Sequence, residues 1–294
     1  MPIRQDTKKK GGKKKADEKF IDYALTVLET IFQHGQPLAP ILQSSEIRNR
    51  AFGRFWVQFS TGAKGVDFTP PASELEGSSA LVPPLLKRAR GVVLDIGPGS
   101  GTQMPYLVPA LDRVSAIYGA EPCVGLHATL RRRILNNGLD GKYHVVTASA
   151  AKAELLPALD RQCGVSEDEK SSSGIFDTII CVRVLCSVPE PERAIADLYT
   201  LLRPGGQMLV LEHVVNPGPW KGGGVLPRML QIVYHFLGWT FFMGDCHLNR
   251  DTRACLLKAA DRDGGWESAE LEDGWRWSCL PYISGVLTKK KVLR

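Results

Sequence analysis

Residues 92–101 read Val-Val-Leu-Asp-Ile-Gly-Pro-Gly-Ser-Gly. A short apolar run ends in an acid and a glycine cluster, and a helical pattern starts near Thr102. This is a strand passing through a tight turn into a helix. Glycine takes positive φ at little steric cost and lets the backbone approach a ligand closely. Free N–H groups at the following helix start favour an electron-rich group there. The spacing is G-x-G-x-G, with Asp95 two residues before Gly97. That differs from the dinucleotide spacing G-x-G-x-x-G, so Asp95 needs its own reason. An acid at the strand tip can orient the turn and attract a cation such as a sulfonium or an ammonium group.

Further apolar runs lie at 114–119, 143–148, 176–184 and 207–215, with helical patterns at 102–112, 123–137, 151–160 and 190–203 between them. Strands alternating with helices imply a parallel sheet covered by helices on both faces. Glu121 stands at the end of the second run, twenty residues beyond Gly101. Carboxylates so placed accept ribose hydroxyls in nucleoside-cofactor folds; taken alone, a surface Glu after a strand is the plainer reading. Pro204-Gly205-Gly206 is expected to close the helix at 190–203 with C-cap glycines.

Upstream, Phe20, Ala24, Val27, Leu28 and Ile31 recur at helical spacing, and Pro37 and Pro40 interrupt them. A second helix is expected through Ile47, Phe52, Phe55, Trp56 and Phe59, then a loop at 62–71 and a short helix at 80–90. Residues 163–174 read as a polar surface insertion. Beyond 215, helices are expected near 223–241 and 250–261 and strands at 266–278 and 282–289. The chain thus divides into a tail at 1–16, a helical segment at 17–90 and a sheet domain at 91–294.

The 294 residues carry a net charge of +6. Residues 1–15 hold seven basic groups and one acid, which accounts for all of it. The rest is neutral, so the pI near 8.9 belongs to a tail expected to be disordered. A neutral body argues against a nucleic-acid-binding face. The seven cysteines form no C-x-x-C pair, which suits a reducing compartment without a disulfide framework. A cytoplasmic location is expected, with peripheral membrane contact through the Lys-rich tail as an option. The charged start has no apolar run behind it, so no secretory signal is read there. No apolar stretch reaches the roughly 18 residues of a membrane span. The nearest, 229–243, contains Gln231 and His235 and suits a buried or interfacial helix.

Asp95 to Gly101 (D-I-G-P-G-S-G), the acid after strand two, Phe176 to Cys181 (F-D-T-I-I-C) and Leu202 to Gly206 (L-R-P-G-G) together resemble the class I S-adenosylmethionine (SAM)-dependent methyltransferases. A narrower resemblance rests on V-L-C-S-V at 184–188, E-H-V at 212–214, G-D-C-H-L-N-R at 244–250 and P-Y-I-S-G at 281–285. These segments are similar to the methyltransferase-like thiol S-methyltransferases of animals and their fungal relatives. The animal proteins begin with a hydrophobic membrane anchor. Here a Lys-rich tail stands instead, so membrane residence is not carried over.

The resemblance implies a Rossmann-like class I methyltransferase fold, with a mostly parallel seven-stranded sheet and an N-terminal helical extension. It implies SAM as cofactor. Asp95, Gly97, Gly99 and Gly101 would hold its methionine end and Glu121 its ribose. The adenine would lie at 147–150; no carboxylate stands there, which leaves Ser149 or backbone groups. Arg183 and Leu185 would line the cofactor and acceptor side.

Methyl transfer from a sulfonium is an in-line displacement in which the protein chiefly positions and excludes water. A thiol acceptor needs little activation, because a few per cent is thiolate at neutrality. The expected acceptor is therefore a small, apolar molecule with a thiol favoured, including one from fungal secondary metabolism. N- or O-methylation of a natural product or peptide intermediate is the alternative. A protein or RNA methyltransferase, or a non-catalytic SAM-binding protein, is a more distant rival. His213 and Asp245 are the candidate acid–base groups, with His247 near them. For Asp245 and Arg250, helix capping and ion pairing is the structural reading. The aromatic residues Tyr234, Phe236, Trp239, Phe241 and Phe242 suit either an acceptor-pocket wall or core packing. Cys186 reads as core, and the linear spacing suggests no metal centre.

Overall fold

The computed structural model describes residues 21, 25–29, 31–32, 35–38, 44–61, 68–166 and 174–291. The tail at 1–16, the tip of the polar insertion at 167–173 and most of the first helical pattern lie outside the described residues.

A seven-stranded sheet forms the centre, in the order β3-β2-β1-β4-β5-β7-β6. Its strands are β1 (Gly91–Ile96), β2 (Val114–Ala120), β3 (Tyr143–Val146), β4 (Phe176–Val182), β5 (Leu202–His213), β6 (Ser268–Gly274) and β7 (Tyr282–Thr288). The first five pair in parallel, and β7 is antiparallel to both β5 and β6. β1 and β4 are near-continuous apolar runs because a central parallel strand is buried on both faces. Side chains alternate across the sheet, so Leu94 and Ile179 enter one core while Val93 and Ile180 enter the other. The edge strand β6 reads Ser-Ala-Glu-Leu-Glu-Asp-Gly, and charges on an edge discourage further strand pairing.

Helices cover both faces. α1 (Ser44–Thr61), α2 (Val82–Leu86), α3 (Met104–Leu107) and α4 (Val124–Asn136) precede β3. α5 (Lys152–Cys163), α6 (Pro191–Leu201), α7 (Val225–Phe236), α8 (Trp239–Phe242) and α9 (Thr252–Lys258) follow it. Leu86, Met104 and Leu130 of α2, α3 and α4 fill one core. Leu159, Leu198 and Leu256 of α5, α6 and α9 fill the other.

Several expected elements break where the chain chemistry demands it. The helix expected at 102–112 is α3 followed by a 3-10 turn, Val108–Arg113. Pro109 lacks the N–H that a continuing helix needs. The helix expected over 223–241 divides into α7 and α8 at Gly238, whose φ is +89°. α6 ends at Leu201, and 204–206 belong to β5 instead of capping the helix. β4 stops at Val182 because Arg183 turns left-handed, with φ +58°.

α7 is not the core helix that its aromatics suggest as one reading. Phe236 is 89% exposed and Leu226 70%, and Gln231 is its buried residue. Gln231 pegs the helix down, accepting from the Asn216 N–H at 2.8 Å and donating to the Val214 and Cys279 carbonyls. Among the described residues, no helix is long and apolar enough to cross a membrane.

Candidate active site

Crossovers leave β1 in one direction and β4 in the other, so the loops after these neighbouring strands splay apart. Open α/β sheets bind ligands at such a switch point. The glycine turn follows β1 there, and residues 183–188 follow β4.

Gly97, Gly99 and Gly101 all have positive φ, between 59° and 80°. A Cβ on Gly97 would lie 2.5 Å from Val184 Cγ2, so the two loops at the switch point are in contact. The glycines are thus required by backbone conformation and by protein neighbours. A Cβ on Gly99 would lie 3.1 Å from Trp56 Nε1, which places α1 over the turn. Ser60 of α1 also meets Ser100, with Oγ atoms 2.7 Å apart.

Asp95 lies fully buried beneath the turn. It accepts hydrogen bonds from Tyr143 Oη at 2.8 Å and Gln103 Nε2 at 3.1 Å. Burial pushes its carboxyl up to about 7 against the opposing effect of these two donors. Its side chain therefore organises the floor of the turn. Glu121, 5% exposed, closes the turn from β2. Its two oxygens accept from the Gly99 N–H at 2.8 Å and the Cys123 N–H at 2.9 Å. Burial raises its pKa against those two amides. Each carboxylate oxygen has a second lone pair, so Glu121 retains acceptor capacity for a hydroxyl.

Ser149 follows β3 and donates to Glu154 in the first turn of α5. Residues 147–150 contain no carboxylate, but Glu154 brings one to the same place. The exposed Arg183 guanidinium donates to Ser78 and Ser79, at 2.9 and 3.0 Å. The Leu185 side chain is core, and its backbone N–H and carbonyl are both held by protein side chains, so it does not present a free group to the site. The loop is held by Glu212, whose Oε1 accepts from the Val184 and Leu185 N–H groups at 2.8 and 2.9 Å. Glu212 is fully buried, and burial raises its pKa to about 8. Its part was missed in the sequence because a Glu near the end of a buried strand gives no hint of a partner 27 residues away.

His213, at the end of β5, is 94% buried (6% exposed). Its Nε2 lies 2.9 Å from Cys246 Sγ. Burial opposes its protonation, but Cys186 and then Glu212 outweigh this and raise its pKa. Asp245 follows α8, immediately before Cys246. Together with Gly244, φ +60°, it forms a left-handed corner at φ +59° that presents Cys246. Phe52 of α1 packs against this corner: a Cβ on Gly244 would lie 2.5 Å from its ring. Phe52 stacks on Trp56, ring centroids 5.3 Å apart, so α1 spans from the glycine turn to the Cys246 corner.

The capping expected of Asp245 is performed by Asp251, which accepts from the Ala254 N–H at 3.0 Å. Arg250 clamps the β4 loop, donating to the Leu185 and Val188 carbonyls at 2.8 and 2.6 Å. A separate cleft of about 620 Å³, lined by Pro70, Pro71, Pro83 and Pro105 among others, shares no residue with this constellation.

A family model described as a methyltransferase domain matches residues 75–259. The mitochondrial methyltransferase OMS1 of Saccharomyces cerevisiae is 30% identical over 132 residues, 44% of this chain and 27% of that protein. The human thiol S-methyltransferase TMT1B is 40% identical over 82 residues, 28% of this chain and 31% of that protein. The aligned parts thus span less than a third of these two relatives. A solved geranyl diphosphate methyltransferase in complex with SAM superposes with a TM-score of 0.48 at 16% identity, covering 73% of this chain and 84% of that one. With the matched model covering more than half of its length, the chain belongs to the methyltransferase-domain family.

Proposed function

We propose that this protein transfers a methyl group from SAM to a small-molecule thiol. The observation that carries the reading is the glycine turn closed by Glu121 at the β1/β4 switch point, in a chain of this family. SAM, when bound, supplies a methyl group already activated on a sulfonium.

The residues present fit that donor. Glu121 binds the ribose with its remaining lone pairs, and Ser149 with Glu154 reads the adenine. Gly97, Gly99 and Gly101 shape the wall beside the methionine end. Asp95 braces the floor beneath it, and the β4 loop at Arg183 and Leu185 forms the opposite wall. Phe52 and Trp56 exclude water from above, which aligns and desolvates the reacting groups. His213 faces the acceptor side, and Asp245 positions Cys246 against it.

Thiol is preferred as acceptor because relatives are named thiol S-methyltransferases and because a thiol needs little activation. A hydroxyl or amine of a natural product, including a fungal one, is the second acceptor class. A relative named as a ubiquinone biosynthesis O-methyltransferase, 26% identical over 141 residues, favours keeping it. The exposed apolar side of α7, with Trp220 beside it 97% exposed, supports peripheral membrane contact by a cytoplasmic protein and an apolar acceptor.

The test incubates the full chain with SAM and a panel of thiols, amines and phenols, read by mass spectrometry. A gain of one methyl on thiols alone is expected. No SAM binding by calorimetry would refute the donor assignment, and methylation of phenols or amines but not thiols would refute the acceptor.

A further inference from the structure

The linear spacing of Cys, His and acidic residues gives no metal motif. The fold nevertheless gathers Cys186 from the β4 loop, His213 from the end of β5 and Cys246 from the corner after α8. One ligand atom from each lies within 4.8 Å of the others, and all three residues are buried. We propose that they form a zinc site whose fourth position takes the acceptor as a thiolate.

Four features support this site. The donor set is the first: two thiolates and an imidazole suit zinc, and three protein ligands leave the open position characteristic of a reactive zinc centre. Spacing is the second. Tetrahedral bonds of about 2.0–2.3 Å separate ligand atoms by about 3.6–3.8 Å, within the 4.8 Å envelope. Nε2 and Cys246 Sγ, now 2.9 Å apart, need to part by less than about 1 Å.

Charge is the third feature. Two buried thiolates repel each other and are costly to desolvate, whereas Zn²⁺ with two thiolates and a neutral imidazole is neutral overall. The fourth is the hydrogen bonding around Cys246. The Trp239 indole N–H, which can only donate, points at this sulfur from 3.1 Å.

His213 Nδ1 and Glu212 Oε2 are buried without a hydrogen-bond partner. Polar capacity next to the cluster is thus unfilled. Cys186 stands on the same loop whose Val184 borders Gly97, two residues from that contact, so the cluster neighbours the glycine turn.

The chemistry balances. Zinc binding releases two protons from Cys186 and Cys246, and the acceptor thiol releases a third as it displaces water. The acceptor sulfur then forms its bond to the methyl carbon. The bond from that carbon to the donor sulfonium breaks, its electron pair staying on the donor sulfur. The thioether product carries no charge and binds the metal weakly, which favours release.

This inference rests on the thiol reading above, and its test separates the two. The full chain is stripped with a chelator and titrated with Co²⁺ as a spectroscopic stand-in for zinc. One equivalent should bind, with thiolate-to-cobalt charge transfer and intense tetrahedral d–d bands. Cys186→Ser and Cys246→Ser should weaken binding by more than about a hundredfold, beyond the usual effect of losing an outer-shell partner. Cys279→Ser, outside the cluster, should not change it. Adding 2-mercaptoethanol should shift the d–d bands, and ethylene glycol should not.

A folded wild-type chain that binds no cobalt, or that methylates thiols equally well with and without zinc, overturns the proposal and leaves the donor reading intact. So does a Cys186–Cys246 disulfide in the protein as isolated under reducing conditions. Cobalt bands that ignore added thiol overturn the acceptor assignment.

Discussion

Gly97→Ala tests the switch-point geometry directly. Gly97 has φ +59°, and an added Cβ would lie 2.5 Å from Val184 Cγ2. Left-handed backbone costs an L-residue about 1–2 kcal/mol, and forcing a methyl into packed space costs about 1–3 kcal/mol. Alanine also restricts the unfolded chain, which returns about 0.4–1 kcal/mol. The net destabilisation is then about 1–4.5 kcal/mol. Urea unfolding followed by circular dichroism measures it as a lower midpoint at constant slope.

A double-mutant cycle with Val184→Ala separates the two causes. Removing Cγ2 leaves Val184 Cβ as the nearest atom, at 3.3 Å from the added methyl. The steric part should therefore be relieved while the φ strain stays. A favourable coupling of about 1–3 kcal/mol is expected. A Gly97→Ala change within about 0.5 kcal/mol of wild type, the usual range for an uninvolved surface position, would refute the reasoning. So would the absence of coupling.

Glu121→Gln keeps the shape but removes the charge that accepts from the Gly99 and Cys123 amides; SAM affinity by calorimetry should fall about 10- to 100-fold, as a hydrogen bond to a charged group contributes about 1.5–3 kcal/mol. The Asp95 pKa is raised to about 7 in the fold from 3.8. The folded state therefore holds this proton more tightly than the unfolded one, and the stability it contributes is full below the unfolded value and is lost as pH rises through about 7. Asp95→Asn should flatten the pH–stability curve in that window, as measured by urea midpoints; an unchanged slope contradicts the buried carboxylate. Arg250→Lys should destabilise by about 1–3 kcal/mol, because lysine cannot reproduce the guanidinium contact with the Leu185 and Val188 carbonyls, and an unchanged thermal midpoint would show that clamp to be idle.

The strands were legible because local chemistry and global burial agree along them. Val92 to Ile96 is apolar since β1 is central, and Gly97 to Gly101 punctuate it because positive φ is required there. Where a residue's role depends on a distant partner, the sequence was silent or misleading. Asp95 reads as an acid that orients the turn and attracts a cation, but its partner Tyr143, 48 residues on, is not legible in the sequence. Ser149 reads as an adenine contact lacking a carboxylate, and Glu154 brings one from the next helix. The aromatics of α7 read as a wall or core, yet Phe236 faces outward. Periodicity shows that a helix has an apolar side without showing what covers it.

The sequence by itself determined the parallel α/β sheet, the glycine turn and the acid that closes it, because each is written in contiguous residues whose conformational preferences act locally. It also confined the net charge to the first fifteen residues. Only the tertiary structure decided that α1 roofs the turn, that Glu212 and Arg250 fix the β4 loop, and that Cys186, His213 and Cys246 converge. Those three residues come from segments 27 and 33 residues apart. No local preference relates them, and they meet because parallel strands deliver their following loops to one edge of the sheet.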